Sequence, residues 1–373
     1  MNELTLQKCL EYAELGWLNK HVSEDGRIIG FKYSLQTVYD HAWDEITLQC
    51  RGIAFDAATG TKVAHPFNKF FNFEEIWTED GQLAEVGKVL TSLGHGYEPN
   101  LTKKFRAMDK IDGSLIIVYH YDNDWKCKTG GSFNSDQAVW AKKWFDKNVN
   151  TESMIPGYTY CFEVVYDGDP HVCHYDFKGL VLLGYFDWYH NEASMIDIVE
   201  MAYKMGVRYS QEMQFDSIDE MIKYARGLDV DHEGFVVTFS SGFKVKVKGV
   251  EYLDKFHQIY GITKKDIRAH FNTFNLSVES EYKKAIPEEC PLMKNYAEEL
   301  ERRTQELQHD VYVLAEKIKH LSGRERYEAA MADGNKLIGS LAVAVASGKG
   351  VNEKIFHHVV EDLKKRDPEE SDL

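Results

Sequence analysis

Leu6, Cys9, Leu10 and Ala13 recur at helical spacing and predict a helix over residues 5–20. After the turn Glu24-Asp25-Gly26, the run Ile28 to Tyr33 is extended in pattern. Residues 49–56 form a strand that ends in the turn Ala58-Thr59-Gly60, and Lys62 to Phe67 returns as its partner. The aromatic-dense stretch Phe67-Asn68-Lys69-Phe70-Phe71-Asn72 follows, and residues 74–93 are helical in pieces. From Phe105 to Lys128 the order is strand, turn, strand, turn, strand, with Asp122-Asn123-Asp124 as a hairpin turn. Ser135 is placed to cap a helix through Lys147. Further strands are predicted over 158–166 and 179–186, the second apolar on both faces and therefore central. Helices over 194–204 and 217–226 precede strands over 234–239 and 243–247.

Past about Val250 the pattern turns helical, with predicted helices over 292–321, 324–346 and 352–365 and an acidic tail from Asp367. This change divides the chain into residues 1–255, of mixed helix and strand, and 256–373, all helical. The fold class expected is α+β followed by an all-α C-terminal domain.

Composition narrows the function classes. No apolar run approaches the roughly 20 residues of a membrane span, and Met1-Asn2-Glu3-Leu4-Thr5 lacks a signal-peptide pattern. Six scattered cysteines without a Cys-x-x-Cys pair suit reduced thiols in a cytoplasmic compartment. A net charge of −16 argues against a general nucleic-acid coat protein but not against a nucleic-acid enzyme with a local basic groove. Lysines do cluster, at Lys103-Lys104-Phe105-Arg106, Lys126-Cys127-Lys128, Lys142-Lys143 and Lys244-Val245-Lys246-Val247-Lys248. His171-Val172-Cys173-His174 fits no usual zinc spacing.

Five short stretches carry the candidate chemistry: Arg51-Gly52, Lys69-Phe70-Phe71-Asn72, Lys110-Ile111-Asp112-Gly113, Phe162-Glu163, and Glu233-Gly234 followed by Lys246 and Lys248. Each charged residue stands at a strand end or beside a glycine, where a side chain reaches the mouth of a sheet. Glu163 and Glu233 lie in apolar strand sequence, where an unpaired carboxylate is costly. Phe70, Phe71 and Phe73 read as core. Lys110 is the candidate nucleophile. Only about one unperturbed lysine in two thousand is neutral at pH 7, a cost of about 4–5 kcal/mol. Partial burial and nearby cations, Lys246 and Lys248 among them, lower that cost.

In type and order these motifs resemble those of the covalent nucleotidyltransferases, the ATP-dependent ligases and capping enzymes. Cys50-Arg51-Gly52-Ile53-x-Phe55 and Lys69-Phe70-Phe71-Asn72 resemble, more narrowly, the bacteriophage RNA ligase 1 family of the T-even type. The resemblance covers residues 30–255 and, beyond them, only general helical character. It implies a nucleotidyltransferase (ATP-grasp-like ligase) domain of antiparallel sheets with flanking helices. It implies an ATP-dependent RNA ligase that joins 5′-phosphate and 3′-hydroxyl ends through a lysine–AMP intermediate on Lys110, in RNA or tRNA repair.

The ATP-binding set so implied is Tyr33, Arg51, Lys69, Lys110, Asp112, Gly113, Glu163, Glu233, Lys246 and Lys248. Mg²⁺, with Mn²⁺ as substitute, would be held by Glu163, Glu233 and Asp112, mostly through water. Gly113 would let the backbone approach the nucleotide. Tyr33, Tyr185 and Phe186 are the candidates to stack on adenine. Lys126, Lys128, Ser132 and His171 are expected to meet RNA or phosphate; His171 stands where the family commonly has arginine. The expected partners are ATP and single-stranded or nicked-loop RNA ends, tRNA among them, and the expected state is a monomer. A DNA ligase or capping enzyme, or a non-catalytic RNA-binding protein, are the competing readings. The lack of a C-terminal OB-fold pattern and the Lys-Phe-Phe-Asn stretch argue against the former, and the complete set of charged residues against the latter.

Overall fold

The computed structural model describes residues 4–78, 81–93, 104–169, 171–269, 271–272, 277–278, 286, 291–332 and 334–366. Lys103, one of the six cysteines (Cys290) and the acidic tail, which figure in the expectations above, lie outside them. The chain divides into two compact units, Met1–Lys255 and Phe256–Leu373.

The strands of the first unit are β1 (Leu18–Val22), β2 (Ile28–Tyr33), β3 (Arg51–Asp56), β4 (Lys62–Ala64), β5 (Phe71–Asn72), β6 (Phe105–Asp109), β7 (Ser114–Tyr121), β8 (Asp124–Lys128), β9 (Thr159–Val165), β10 (Gly179–Phe186), β11 (Arg208–Tyr209), β12 (Glu212–Met213), β13 (Gly234–Phe239) and β14 (Lys244–Lys248). They form three sheets, ordered β1-β2-β3-β4, β11-β10-β9-β7-β8 and β12-β6-β13-β14-β5. Pairing is antiparallel except for the short contacts of β11 with β10 and β5 with β14. All seven residues of β9 are buried, because β7 and β10 flank it and helices cover the sheet. Ala141 and Phe145 of helix Asp136–Asn148 and Ile198 and Met205 of helix Met195–Met205 meet Phe162 and Leu182 in that core. Under the third sheet, Met221 and Ala225 of helix Ile218–Arg226 pack with Phe235, Val237, Val245 and Val247. Each fully buried large apolar side chain contributes about 1.5–3 kcal/mol.

Local chemistry explains the element ends. Ser135 caps its helix by accepting from Ala138 N, and Thr5 does the same from Lys8 N. Asp122 and Asn123 both take positive φ (54° and 58°), the conformation of a two-residue hairpin whose twist matches its strands. The first helix is shorter than the periodicity suggests, Leu6–Glu14, and the residues after Gly16 go into β1 instead. The expected helix over 324–346 is two, Gly323–Met331 and Lys336–Ala346. Asn335 starts the second by accepting from Ile338 N at 3.2 Å.

The second unit also contains helices Lys264–Ala269, Pro291–Ile318 and Asn352–Arg366, around a core that includes Leu300, Val311, Leu341 and Ile355. Among its described residues it is helical apart from one two-residue strand pair, Phe271–Asn272 with Ser277–Val278. Among the described residues no helix is long and apolar enough to cross a membrane.

Candidate active site

The chain passes from the third sheet to the second at residues 110–113, between β6 and β7, and back at residues 210–211, between β11 and β12. The two crossings are tied together: Asp109 N donates to Gln211 O (2.8 Å) and Ser210 Oγ donates to Asp109 O (2.6 Å). Lys110 therefore stands where two sheets diverge, with a cavity of about 250 Å³ beside it. Its own N–H donates to Gly234 O at 2.8 Å, which fixes it beside Glu233. Gly234 has φ +134°, and a Cβ there would stand 2.0 Å from Val247 O, so the residue after Glu233 has to be glycine. At Gly113 a Cβ would stand 2.3 Å from Val164 O. The close approach that this glycine permits is to β9, and the glycine also lines the cavity.

The carboxylates differ in what they hold. Glu233 is 3% exposed and accepts from Lys110 Nζ through Oε2 (2.6 Å) and from Lys248 Nζ through Oε1 (2.9 Å). Burial disfavours its charge, but those two lysines outweigh burial and hold its pKa below the ordinary value. Glu163 projects from β9 opposite Leu115 of β7 and has no hydrogen-bond or ion-pair partner among the described residues. Burial pushes its pKa up to about 8, against the opposing pull of Lys110. For Lys110, burial favours the neutral amine, but Glu233, Glu163 and Asp112 more than offset burial and raise its pKa. This corrects the expectation that Lys246 and Lys248 depress it: Lys248 is itself paired to Glu233, and the carboxylates are the nearer charges.

Asp112 has a structural role beside the one expected. Its Oδ2 accepts from Val172 N (2.7 Å) and Cys173 N (3.1 Å), and its Oδ1 from Tyr252 Oη (3.0 Å). Both oxygens take part in holding the 172–173 segment and Tyr252, a structural role the sequence did not show. Glu163 and Glu233 are hard oxygen donors; no cluster of three or more metal-binding side chains occurs among the described residues. Two carboxylates fit a Mg²⁺ ion that keeps several waters.

Cations gather on the other side of the site. Arg51 lines the cavity with its guanidinium 4.3 Å from the centre of the Phe70 ring, and its buried Nη1 has no hydrogen-bond partner. Lys69 is enclosed by aromatic rings, with Nζ 4.5 Å from the centre of Phe71 and 5.5 Å from those of Tyr33 and Trp43. Burial, then Arg51 and Lys32 against the opposing Glu75, lowers its pKa to about 8. Lys246 has no ion-pair partner among the described residues. Burial first, then Lys69, Lys110, Arg51 and Lys248, bring it to about 7. In a chain of net charge −16, this set of cations with so few counter-charges is the environment of a polyanion.

Several expected assignments change. Phe70 both packs against the buried cluster of Phe67, Cys161 and Phe186 and lines the cavity, whereas Phe71 is fully buried and Phe73 packs on Trp77. Tyr33 meets Trp43 edge-on and walls in Lys69, so it is not an adenine platform; Tyr185 and Phe186 do not reach the cavity, whose aromatic lining is Phe67 and Phe70. Lys128 cannot meet RNA: it is 0% exposed and donates to the carbonyls of Gly52 (3.0 Å), Thr129 (2.8 Å) and Gly130 (3.4 Å). Lys126 pairs with Asp124 and lies opposite Tyr119, five residues along β7 from Ser114, about 17 Å from the nucleophile end. Ser132 belongs to a turn closed on Thr129 and Asn134. His171 adjoins the segment clamped by Asp112, and its Nδ1 is bonded to Asp169 O at 2.5 Å.

Nothing in the sequence pattern singled out Glu192 or Thr238, and Arg106 stood out only within its basic cluster; all three also line the cavity. Lys244 lines it too, and there the signal was present, since two-residue spacing puts it on one face of β14 with Lys246 and Lys248.

Comparison with known proteins bears on this arrangement. Residues 49–252 match a family model described as RNA ligase. A candidate bifunctional polynucleotide kinase/RNA ligase of Autographa californica nuclear polyhedrosis virus is 24% identical over 252 residues, covering 64% of this chain. The match takes in 34% of the viral protein, so the chain spans about a third of that relative's length. Among solved structures, a Naegleria gruberi RNA ligase variant with ATP and Mn is similar at 15% identity and a TM-score of 0.35, over 46% of this chain and 55% of that one. An archaeal ATP-dependent RNA ligase gives 10% identity and 0.45, over 77% and 69%. A candidate ATP-dependent DNA ligase of Aquifex aeolicus gives 12% and 0.45, over 80% and 74%.

Proposed function

The chain belongs to the RNA ligase family, whose model matches more than half of it, and we propose from this premise that it is an ATP-dependent RNA ligase that works through a covalent adenylate on Lys110. The observation that carries the reading is the position of Lys110. Its amine lies against Glu233, near Glu163, beside a cavity flanked by the under-compensated cations Arg51, Lys69 and Lys246.

In the first step, neutral Lys110 Nζ attacks the α-phosphorus of ATP, a P–N bond forms, and the P–O bond to pyrophosphate breaks. Arg51, Lys69 and Lys246 balance the charge of the departing pyrophosphate. In the second step, an RNA 5′-phosphate oxygen attacks the same phosphorus and the P–N bond breaks, returning the amine. In the third, an RNA 3′-hydroxyl attacks the activated 5′-phosphate and AMP leaves. Lys110 has to lose its proton before the first step, and the carboxylates around it oppose that loss. A divalent cation held by Glu163 and Glu233 would neutralise those carboxylates and polarise the phosphate. Holding the reactants in line accounts for much of the remaining acceleration.

Residues 1–255 carry the adenylation in this proposal, and residues 256–373 select the RNA. The acceptor is single-stranded or looped RNA with 5′-phosphate and 3′-hydroxyl ends, a cleaved tRNA included, taken by a monomer in the cytoplasm. The test is incubation with α-labelled ATP and Mg²⁺, followed by a chase with 5′-phosphorylated RNA. The expected result is a labelled protein adduct that the RNA discharges and that Lys110→Ala does not form. An adduct on Lys110→Ala, or one discharged by nicked DNA and not by RNA, refutes it.

A further inference from the structure

At the end of the cavity away from Lys110 lies an ion pair with no part in the steps above. Lys244 Nζ donates to Glu192 Oε1 (2.9 Å) and to Thr238 Oγ1 (2.8 Å), and the two charged side chains are only 12% and 22% exposed. Desolvating two charges costs several kcal/mol per ion, and apolar side chains of similar volume would often hold the strands as well. An ion pair on a cavity wall therefore points to a ligand.

Strand register gives the distance. Thr238 pairs with Arg106 and with Lys244, and Val236 pairs with Met108. One wall of the cavity thus steps from Lys110 past Met108 and Val236 to Thr238 and Lys244. The four residues from Lys110 to Arg106 span about 14 Å of strand. That span is longer than an extended lysine side chain, so space for part of a ligand remains between the Lys110 amine and the far end. The intervening lining includes the apolar Met108, Val236, Leu183, Met195 and Ile198, beside Asp109 and Ser210, a largely apolar slot that suits a flat base.

The hydrogen-bonding pattern at the far end is directional. Glu192 Oε2 has no hydrogen-bond partner among the described residues, so it can accept. Thr238 Oγ1 accepts from Lys244, which leaves its own proton to donate. Adenine presents an amino donor at position 6 beside an acceptor at N1. A 6-oxo purine presents the reverse, a carbonyl oxygen beside an N1–H.

We infer that Glu192, held in place by Lys244, accepts a hydrogen bond from the 6-amino group of the bound nucleotide while Thr238 donates to N1, so that this trio selects ATP over 6-oxo purine triphosphates. The inference rests on the adenylation reading and adds the groups that recognise the base.

The test uses the full chain with Mg²⁺ and measures the second-order rate constant of adduct formation with four triphosphates: ATP, ITP, the purine riboside analogue without a 6-substituent, and N6,N6-dimethyl-ATP. Each analogue should react at least about tenfold more slowly than ATP, because a site built for a hydrogen bond rejects a base that leaves it unpaired. The purine riboside adds no bulk, so its loss reports the missing bond. Glu192→Gln should narrow the gap between ATP and ITP at least about tenfold. Equal use of ATP and the purine riboside analogue by the wild-type chain overturns the inference, as does an unchanged ATP-to-ITP ratio in a folded Glu192→Gln variant. If that variant does not fold, the analogue series alone decides. No adduct from any of the four would refute the adenylation reading itself.

Discussion

Lys110 donates to Glu233 Oε2 across 2.6 Å, and its own backbone N–H is bonded to the carbonyl of the next residue, Gly234. The candidate nucleophile and its counter-ion are thus held as one rigid unit, and in the ligand-free chain that unit keeps the amine protonated. The reactive form has to be released by whatever cation competes for Glu233.

Glu233→Gln removes the largest charge that raises the Lys110 pKa, while burial, which favours the neutral amine, remains. Lys110 should then become reactive at lower pH than in the wild type. Labelling with an amine-acylating reagent across pH 6–10, without nucleotide or metal, and peptide mass spectrometry would read this directly. Coincident profiles for the two proteins would contradict the electrostatic account.

Glu163 gives a pH dependence of stability. Its pKa in the fold, about 8 through burial, lies above the 4.5 of a free side chain. A group raised in this way contributes its stability in full below about pH 4.5 and loses it as pH climbs through about 8. Glu163→Gln mimics the protonated form at every pH. In metal-free buffer its Tm should pull progressively above that of the wild type between pH 5 and 8, by about 2–4 °C for each kcal/mol recovered. A Tm difference that stays flat over this range would mean that the carboxyl is solvated or paired.

Asp112 should behave as a structural clamp. Asp112→Ala leaves Val172 N and Cys173 N without this acceptor, at about 1–3 kcal/mol for each buried group left unpaired, and removes one bond of the Tyr252 hydroxyl. Tyr252→Phe removes one of those bonds and should cost about 1 kcal/mol. Urea titration of both variants checks the order. If Asp112→Ala unfolds at the wild-type midpoint yet fails to form an adduct, Asp112 acts on the ligand and the clamp assignment is wrong.

What the sequence made legible was what neighbours along the chain determine. Lys110 before an Asp-Gly turn, Glu163 and Glu233 inside apolar strands, and the alternating Lys246 and Lys248 all follow from local pattern, and the geometry gathers them around one point. Lys126 and Lys128 show where local pattern stops. Two-residue spacing puts both on one face of β8, yet only Lys128 is buried, because its amine reaches the Gly52 carbonyl 76 residues away. Phe70, which packs on Phe67 and also faces the cavity, was read only in part for a related reason. Strand β5 begins only at Phe71, so periodicity could not tell which of the two rings faces the core. The far end of the cavity is built from β6, β13, β14 and the segment after β10, and no window of sequence contains it.

The three rings around Lys69 affect how fast and how tightly the site could take a ligand. A free lysine side chain has about 2 kcal/mol of rotamer entropy to lose when it grips a phosphate. Tyr33, Trp43 and Phe71 remove that freedom when the chain folds, long before a nucleotide arrives. The cation is already aimed, so an incoming polyanion meets a target that does not have to search for its conformation.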